Sequence, residues 1–294
     1  MLIAEAASCD RVARPWSSLV DVASLAEAID DPDLVLLDVR HQLKDPSWGL
    51  KQFEQSHLPG ARFAHVDEDL SARPTPRTGR HPLPDVDAFV DRVGRWGIDA
   101  RTQVVAYDDA GGIWASRAWW LLRYYGHEAV AVLDGGLPAW TRAGHALTSA
   151  VPSPRRAAFH GRPGAMPTVT TWDLTTRAPR CLVDARAAAR YRGDEEPVDP
   201  VAGHIPGAKS VPTSANLAPD GTFLPREELR AQYEAALAGL PPRDAAFYCG
   251  SGVTATHDVL AMHAAGLPGA ALYPGSWSEW IRNPLRPVRR GDEP

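Results

Sequence analysis

Cys249 is the residue in this chain best placed to do chemistry. It sits in Tyr248-Cys249-Gly250-Ser251-Gly252-Val253-Thr254, after the apolar run Ala245-Ala246-Phe247 and before a helix-like stretch from Ala255 to Ala265. At such a junction the N–H groups of a glycine-bearing turn and the positive end of a helix both face the sulfur. Both favour thiolate over thiol, and the thiolate is the nucleophile. The flanking loop is polar and punctuated by glycine, which predicts an exposed, working sulfur rather than an inert one at a strand end.

A helix and a strand must hold that loop, and the chain repeats the arrangement. Leu34-Val35-Leu36-Leu37-Asp38-Val39-Arg40 recurs as Cys181-Leu182-Val183-Asp184-Ala185-Arg186, and Ser56-His57-Leu58-Pro59-Gly60-Ala61 as Gly203-His204-Ile205-Pro206-Gly207-Ala208. Val104-Val105-Ala106-Tyr107-Asp108 returns as Ala245-Ala246-Phe247-Tyr248-Cys249, and Leu133-Asp134-Gly135-Gly136 with Trp140 as Tyr273-Pro274-Gly275-Ser276 with Trp280. Four matches in one order, about 140 to 147 residues apart, imply a duplicated domain rather than a solenoid. Boundaries are expected at 15–147 and 168–290, with the Pro-, Ser- and Arg-rich segment 148–167 as linker.

Within each copy, short apolar runs such as Leu34 to Leu37, Val104 to Tyr107 and Ala129 to Leu133 alternate with helical stretches such as Ser116 to Tyr125 and Pro225 to Ala238. That pattern predicts an α/β fold in which each domain is a parallel sheet with helices on both faces. Ligands of such sheets bind at the carboxyl ends of strands. Cys249 has that address in the second copy and Asp108 in the first. A carboxylate is no sulfur nucleophile, so the first copy is expected to be non-catalytic.

Length and composition bound the rest. At 294 residues the chain suits two domains of ordinary size. A net charge of −5 with interspersed signs points to neither nucleic acid nor an anionic membrane. No apolar run is long enough to span a bilayer, and the N-terminus lacks a basic segment followed by a long apolar one. A cytoplasmic location is the resulting expectation. Cys9, Cys181 and Cys249 are too few and too scattered for a disulfide framework or a CxxC zinc site. Gly111-Gly112 lacks the three-glycine spacing of a dinucleotide site.

The Asp-x-Arg strands, the paired His-(Leu/Ile)-Pro-Gly-Ala turns, the strand ending in Cys-Gly-Ser-Gly-Val-Thr and the closing Gly-Ser-Trp-Ser-Glu-Trp resemble the tandem rhodanese-domain sulfurtransferases. The resemblance runs from about Trp16 to Val288. It implies two rhodanese-like domains with only the second catalytic, and transfer of a sulfane sulfur through a persulfide on Cys249. It implies no metal or organic cofactor. The expected partners are a small-molecule sulfur donor and an acceptor that is cyanide, a small thiol or a thioredoxin-like protein thiol. A phosphatase-type loop would need Arg six residues after the cysteine, where this chain has Ala255.

The resemblance extends to individual residues. Thiosulfate-preferring members are similar to Cys-Arg-Lys-Gly-Val-Thr, whereas uncharged Gly250 and Ser251 resemble the 3-mercaptopyruvate sulfurtransferases. In those enzymes the loop serine works with a first-domain histidine and aspartate, here Ser251, His81 and Asp67. Loop residues Gly250, Gly252, Val253 and Thr254 would cradle the transferred sulfur. Arg190, in Ala189-Arg190-Tyr191-Arg192-Gly193, aligns with the arginine that holds the donor's carboxylate. The family's second arginine is missing from Glu195-Glu196-Pro197-Val198-Asp199-Pro200-Val201, which leaves Arg77 and Arg80 as replacements.

Some residues read as structural. Arg186 and Arg40 are expected to pair with strand aspartates, His57 and His204 to fix turns, and Trp114, Trp119, Trp120, Trp140, Trp277 and Trp280 to anchor core or interface. Ser276 and Trp277 are expected near the cysteine loop. Two rival readings stand: a thiosulfate:cyanide sulfurtransferase, and a persulfide-carrying binding module with low turnover of its own.

Overall fold

The computed structural model describes residues 16–294, so Cys9 and the expected start of the first unit at residue 15 lie outside the described residues. The first unit runs β1 (Leu19–Val20), α1 (Val22–Ala28), β2 (Leu34–Asp38), α2 (Trp48–Gln55), β3 (Arg62–Phe63), α3 (Val86–Arg95), β4 (Gln103–Tyr107), α4 (Ala115–Tyr124), β5 (Val130–Leu133) and α5 (Gly136–Arg142). The second runs α6 (Thr171–Thr176), β6 (Cys181–Asp184), α7 (Ala188–Arg192), β7 (Ala208–Ser210), α8 (Arg226–Leu237), β8 (Ala245–Tyr248), α9 (Ala255–Ala264), β9 (Ala271–Leu272) and α10 (Ser276–Trp280). The sheets have orders β1-β5-β4-β2-β3 and β7-β6-β8-β9, and every pairing is parallel. Between the units the chain is irregular over residues 149–167. It lies along the first unit, with Ala157 N–H on Gly94 O and Arg162 N–H on Tyr125 O.

Parallel strands buried on both faces need apolar residues at successive positions, and alternation then sorts them by face. Leu36, Val105, Tyr107 and Ala131 point to one side with Leu25 of α1, Phe53 of α2 and Trp140 of α5. Val35, Leu37, Val104 and Ala106 point to the other with Phe89 of α3 and Trp119 of α4. The second sheet divides likewise. Leu182, Ala246 and Tyr248 pack with Tyr191 and Trp277, while Val183, Ala245 and Phe247 pack with Tyr233 of α8 and Leu260 of α9. The inward faces of both sheets belong to one continuous core.

Helices α4 and α9 make that continuity. Each buries eight of its ten residues, so neither has a polar face, as befits a helix with protein on all sides. Ser116 Oγ on α4 lies 2.9 Å from Thr256 Oγ1 on α9. His257 on α9 reaches back, its Nε2–H donating to Gly111 O at 3.0 Å while Nδ1 accepts from Asn216 Nδ2 at 3.2 Å. Both ring nitrogens are used by the neutral form only, and burial lowers the pKa from 6.5 to about 4. The unfolded chain therefore binds one more proton than the native one between these values. This contribution to stability is complete above pH 6.5 and is lost as pH falls toward 4, to a total of roughly 3 kcal/mol. Urea unfolding between pH 7 and 4.5 should show a slope against pH about one proton smaller in His257→Asn. Equal slopes would contradict a neutral His257. Among the described residues, no helix is long and apolar enough to cross a membrane.

Candidate active site

Strand β8 is flanked by β6 and β9, so its carboxyl end delivers Cys249 at the middle of the sheet's edge. The loop is fixed there by hydrogen bonds to the last helix. Cys249 N–H donates to Ser276 Oγ at 3.1 Å, Cys249 O accepts from Trp277 N–H at 3.0 Å, and Gly250 O accepts from Ser278 N–H at 2.9 Å. Ser276 and Trp277 thus brace the cysteine loop. Gly252 has φ +78°, and a Cβ there would lie 2.2 Å from Pro274 O, so the turn requires glycine. Its N–H donates to Cys249 Sγ at 3.2 Å.

One expectation is corrected. Cys249 is not exposed: only 1% of its surface is accessible, because residues of the first unit and α10 close over the polar loop. Composition marked the loop as polar but gave no sign of what covers it.

What covers it carries functional groups. Ser251 Oγ lies 2.7 Å from His81 Nδ1, and His81 Nε2 lies 2.8 Å from Asp67 Oδ1. Asp67 accepts at Nε2–H, which leaves Nδ1 as the acceptor for the serine hydroxyl. The bond from His81 holds the Asp67 carboxyl below its ordinary range, against the opposing effect of burial. Nearby His41 is kept neutral by burial, its pKa lowered to about 4.

Two guanidinium groups meet above Gly250. A Cβ on Gly250 would lie 3.0 Å from Arg80 Nη2 and 3.7 Å from both terminal nitrogens of Arg190. Glu196 takes Arg190 Nε at 3.1 Å and Nη2 at 2.7 Å through Oε1, and Asp199 takes Nη2 at 3.1 Å. Asp199 also pairs with Arg80 Nη1. Of the two replacements considered for a second arginine, Arg80 is brought to the loop while Arg77 is exposed to solvent.

In the first unit Asp108 takes the place of the cysteine. Its Oδ1 accepts from the N–H groups of Ala110 and Gly112 at 2.8 and 2.9 Å, and its Oδ2 from those of Trp114 and Ala115 at 2.7 and 2.9 Å. A strand-turn-helix loop of this construction is a receptor for an anion.

A profile of the rhodanese-like domain matches the chain twice, over residues 21–143 and 171–283. The chain belongs to the rhodanese family. A probable 3-mercaptopyruvate sulfurtransferase of Pseudomonas aeruginosa is 46% identical over 282 residues, covering 94% of this chain and 99% of that one. A putative thiosulfate sulfurtransferase of Mycobacterium tuberculosis is 42% identical over 278 residues, covering 93% and 97%. The solved 3-mercaptopyruvate sulfurtransferase of Leishmania major superposes with a TM-score of 0.83 at 30% identity, covering 92% of this chain and 77% of that one. The protein is a sulfurtransferase built of two rhodanese-like domains.

Several motifs of this rhodanese pair are structural. Arg186 Nη2 and Nε reach Asp184 at 2.6 and 3.0 Å, and Arg40 repeats the pairing with Asp38 at 2.7 and 3.0 Å. Each arginine also donates to a backbone carbonyl of the following turn, Gly203 O and Ser56 O. His57 Nδ1 binds Phe53 O at 2.6 Å and His204 Nδ1 binds Tyr191 O at 2.8 Å, both rings stacked on the residue they clasp.

Three residues escaped sequence reasoning. Glu196 and Asp199, which orient the arginines, lay in the segment read only for its lack of arginine, although their charge opposite Arg190 was a usable signal. Arg117 lay inside Ala115-Ser116-Arg117-Ala118-Trp119-Trp120-Leu121-Leu122, where a cation within an apolar run was the only clue. It is wholly buried and donates to Leu70 O at 3.2 and 3.3 Å, to Gly252 O at 3.0 Å and to His81 O at 3.4 Å.

Proposed function

We propose that the protein takes a sulfane sulfur from 3-mercaptopyruvate onto Cys249 and passes it to a thiol or cyanide. The observation that carries this reading is the meeting, over one cysteine loop, of the Ser251–His81–Asp67 chain and two arginines from different domains. Arg190 and Arg80 bind the donor's carboxylate and keto oxygens, and Glu196 and Asp199 hold their guanidinium planes in place. Gly250 carries no side chain, so both arginines can stand close to the cysteine loop.

The Cys249 thiolate attacks the donor's sulfur. A sulfur–sulfur bond forms, the carbon–sulfur bond breaks, and its electron pair becomes the enolate of pyruvate. The proton of the donor thiol ends on the carbon of that enolate, giving pyruvate and a persulfide anion on Cys249. Ser251 and His81 are positioned to relay this proton, with Asp67 stabilising the imidazolium while it exists. The loop amides of Gly250 to Thr254 hold the negative charge of the persulfide. An acceptor thiolate or cyanide then attacks the outer sulfur and releases the Cys249 thiolate. A thioredoxin-like protein thiol satisfies the same chemistry, and the cytoplasm is the compartment that would keep it reduced.

Intact-mass measurements after brief incubation with 3-mercaptopyruvate or with thiosulfate test the proposal. Wild type should gain one sulfur atom faster from 3-mercaptopyruvate. Arg190→Ala and Arg80→Ala should each need about ten times more of that donor for half-maximal loading, the effect of roughly 1.4 kcal/mol of lost binding. Faster loading from thiosulfate would instead favour the thiosulfate:cyanide reading, for which two converging cations also suit a dianion. A stably loaded protein with little turnover would favour the sulfur-carrier reading.

A further inference from the structure

We propose that Arg117 is the buried counter-charge of the anionic sulfur on Cys249, set in the first domain to act on the loop of the second. This rests on Cys249 being the residue that takes up sulfur.

The geometry is unusual for an arginine. Its side chain is fully enclosed, and among the described residues it forms no ion pair with a carboxylate. A cation withdrawn from water is costly unless an anion and hydrogen bonds replace its hydration. Carbonyls of Leu70, Gly252 and His81 supply the hydrogen bonds. Among the described residues no carboxylate supplies the charge. Burial lowers the pKa to about 10, so the guanidinium remains charged at neutral pH, and Cys249 is its foremost electrostatic partner.

The three carbonyls also explain its placement. Gly252, whose carbonyl Arg117 holds at 3.0 Å, is the residue whose N–H faces Cys249 Sγ. His81, whose carbonyl it touches, carries the ring bonded to Ser251. Leu70 lies in the segment between Asp67 and His81. One side chain therefore ties the amide that meets the sulfur to the segment that bears the proton relay. Arg117 is a positioning residue: it touches no substrate and works through the loop and its field.

The test reads the ionisation of Cys249 through the pH dependence of its alkylation by iodoacetamide. Other groups facing the loop are His81 with Asp67, and Arg80 and Arg190 with Asp199 and Glu196, all unchanged in the variants. Tyr125 lies beside Arg117 and is pushed up to about 12 by burial, so it stays neutral across the range scanned. Arg117→Met should raise the alkylation midpoint by about one pH unit or more and slow sulfur loading at pH 7 about tenfold. Arg117→Lys, which keeps the charge but not the planar fork, should hold the wild-type midpoint while loading slows. A folded Arg117→Met with the wild-type midpoint, or a lysine variant shifted as far as the methionine one, overturns the inference.

Should Arg117→Met not fold, the pairing is read without it. Wild type should gain stability relative to Cys249→Ser as pH rises through the sulfur's titration, because the ion pair exists only above it. Parallel stability curves overturn the inference. Failure of wild type to load sulfur at all would defeat the sulfurtransferase reading itself. Loading with an unmoved midpoint defeats only the role of Arg117.

Discussion

Cys249→Ser is expected to abolish sulfur loading and to lower turnover with 3-mercaptopyruvate by about 10⁴-fold or more. Serine fits the loop, and its hydroxyl can accept the bond that Gly252 N–H now gives to Sγ. The fold should survive, with an unfolding temperature close to wild type. What is lost is a polarisable, ionisable nucleophile, since an alcohol is not deprotonated at neutral pH and attacks sulfur poorly. Steady-state rates and intact mass on the same preparation decide the matter. Retention of even a tenth of the activity would move the nucleophile elsewhere. Cys181 is a poor alternative: it opens β6, is buried, and has its pKa raised by burial.

His81→Ala should separate the donors. With 3-mercaptopyruvate the leaving group is an enolate that must be protonated on carbon, and loss of a positioned relay should cost about 10²- to 10⁴-fold in kcat. With thiosulfate the leaving group is sulfite, which departs without a proton, and the loss should stay below about tenfold. Asp67→Asn should follow the same pattern with a smaller loss, because the amide can still orient the ring. The measurement is single-turnover loading with each donor. Equal losses for both donors would mean that His81 holds the loop together and does not relay a proton.

The sequence revealed the duplicated α/β plan because it is written in local patterns. The apolar runs that form β2, β4, β5 and β8 lie within a residue of the strands, and the stretches Ser116 to Tyr125, Pro225 to Ala238 and Ala255 to Ala265 match α4, α8 and α9 as closely. The candidates Cys249, Ser251, His81 and Asp67 were legible through motif resemblance, and the structure joins the last three in one hydrogen-bonded chain. Two things were not legible. Burial of the cysteine depends on how the two domains close on each other, a contact between residues some 170 positions apart such as His81 and Ser251. The role of Arg117 depends on the same closure. Helical periodicity cannot show that the far side of an apolar helix meets three carbonyls.

The carboxylate of Asp108 gives the duplication its logic. Two oxygens, each taking two N–H groups, fill the first domain's loop with an occupant belonging to the chain itself. A persulfide is also a two-atom anionic end, and the resting second loop offers one amide to Sγ. The first copy is thus a receptor plugged by its own chain. The first domain's loop is closed by its own carboxylate, and the same domain carries His81, Arg80 and Arg117 to the loop of the second, with Asp67 bonded to His81. The pair is one workshop divided between two benches: the second holds the cargo, and the first brings the tools.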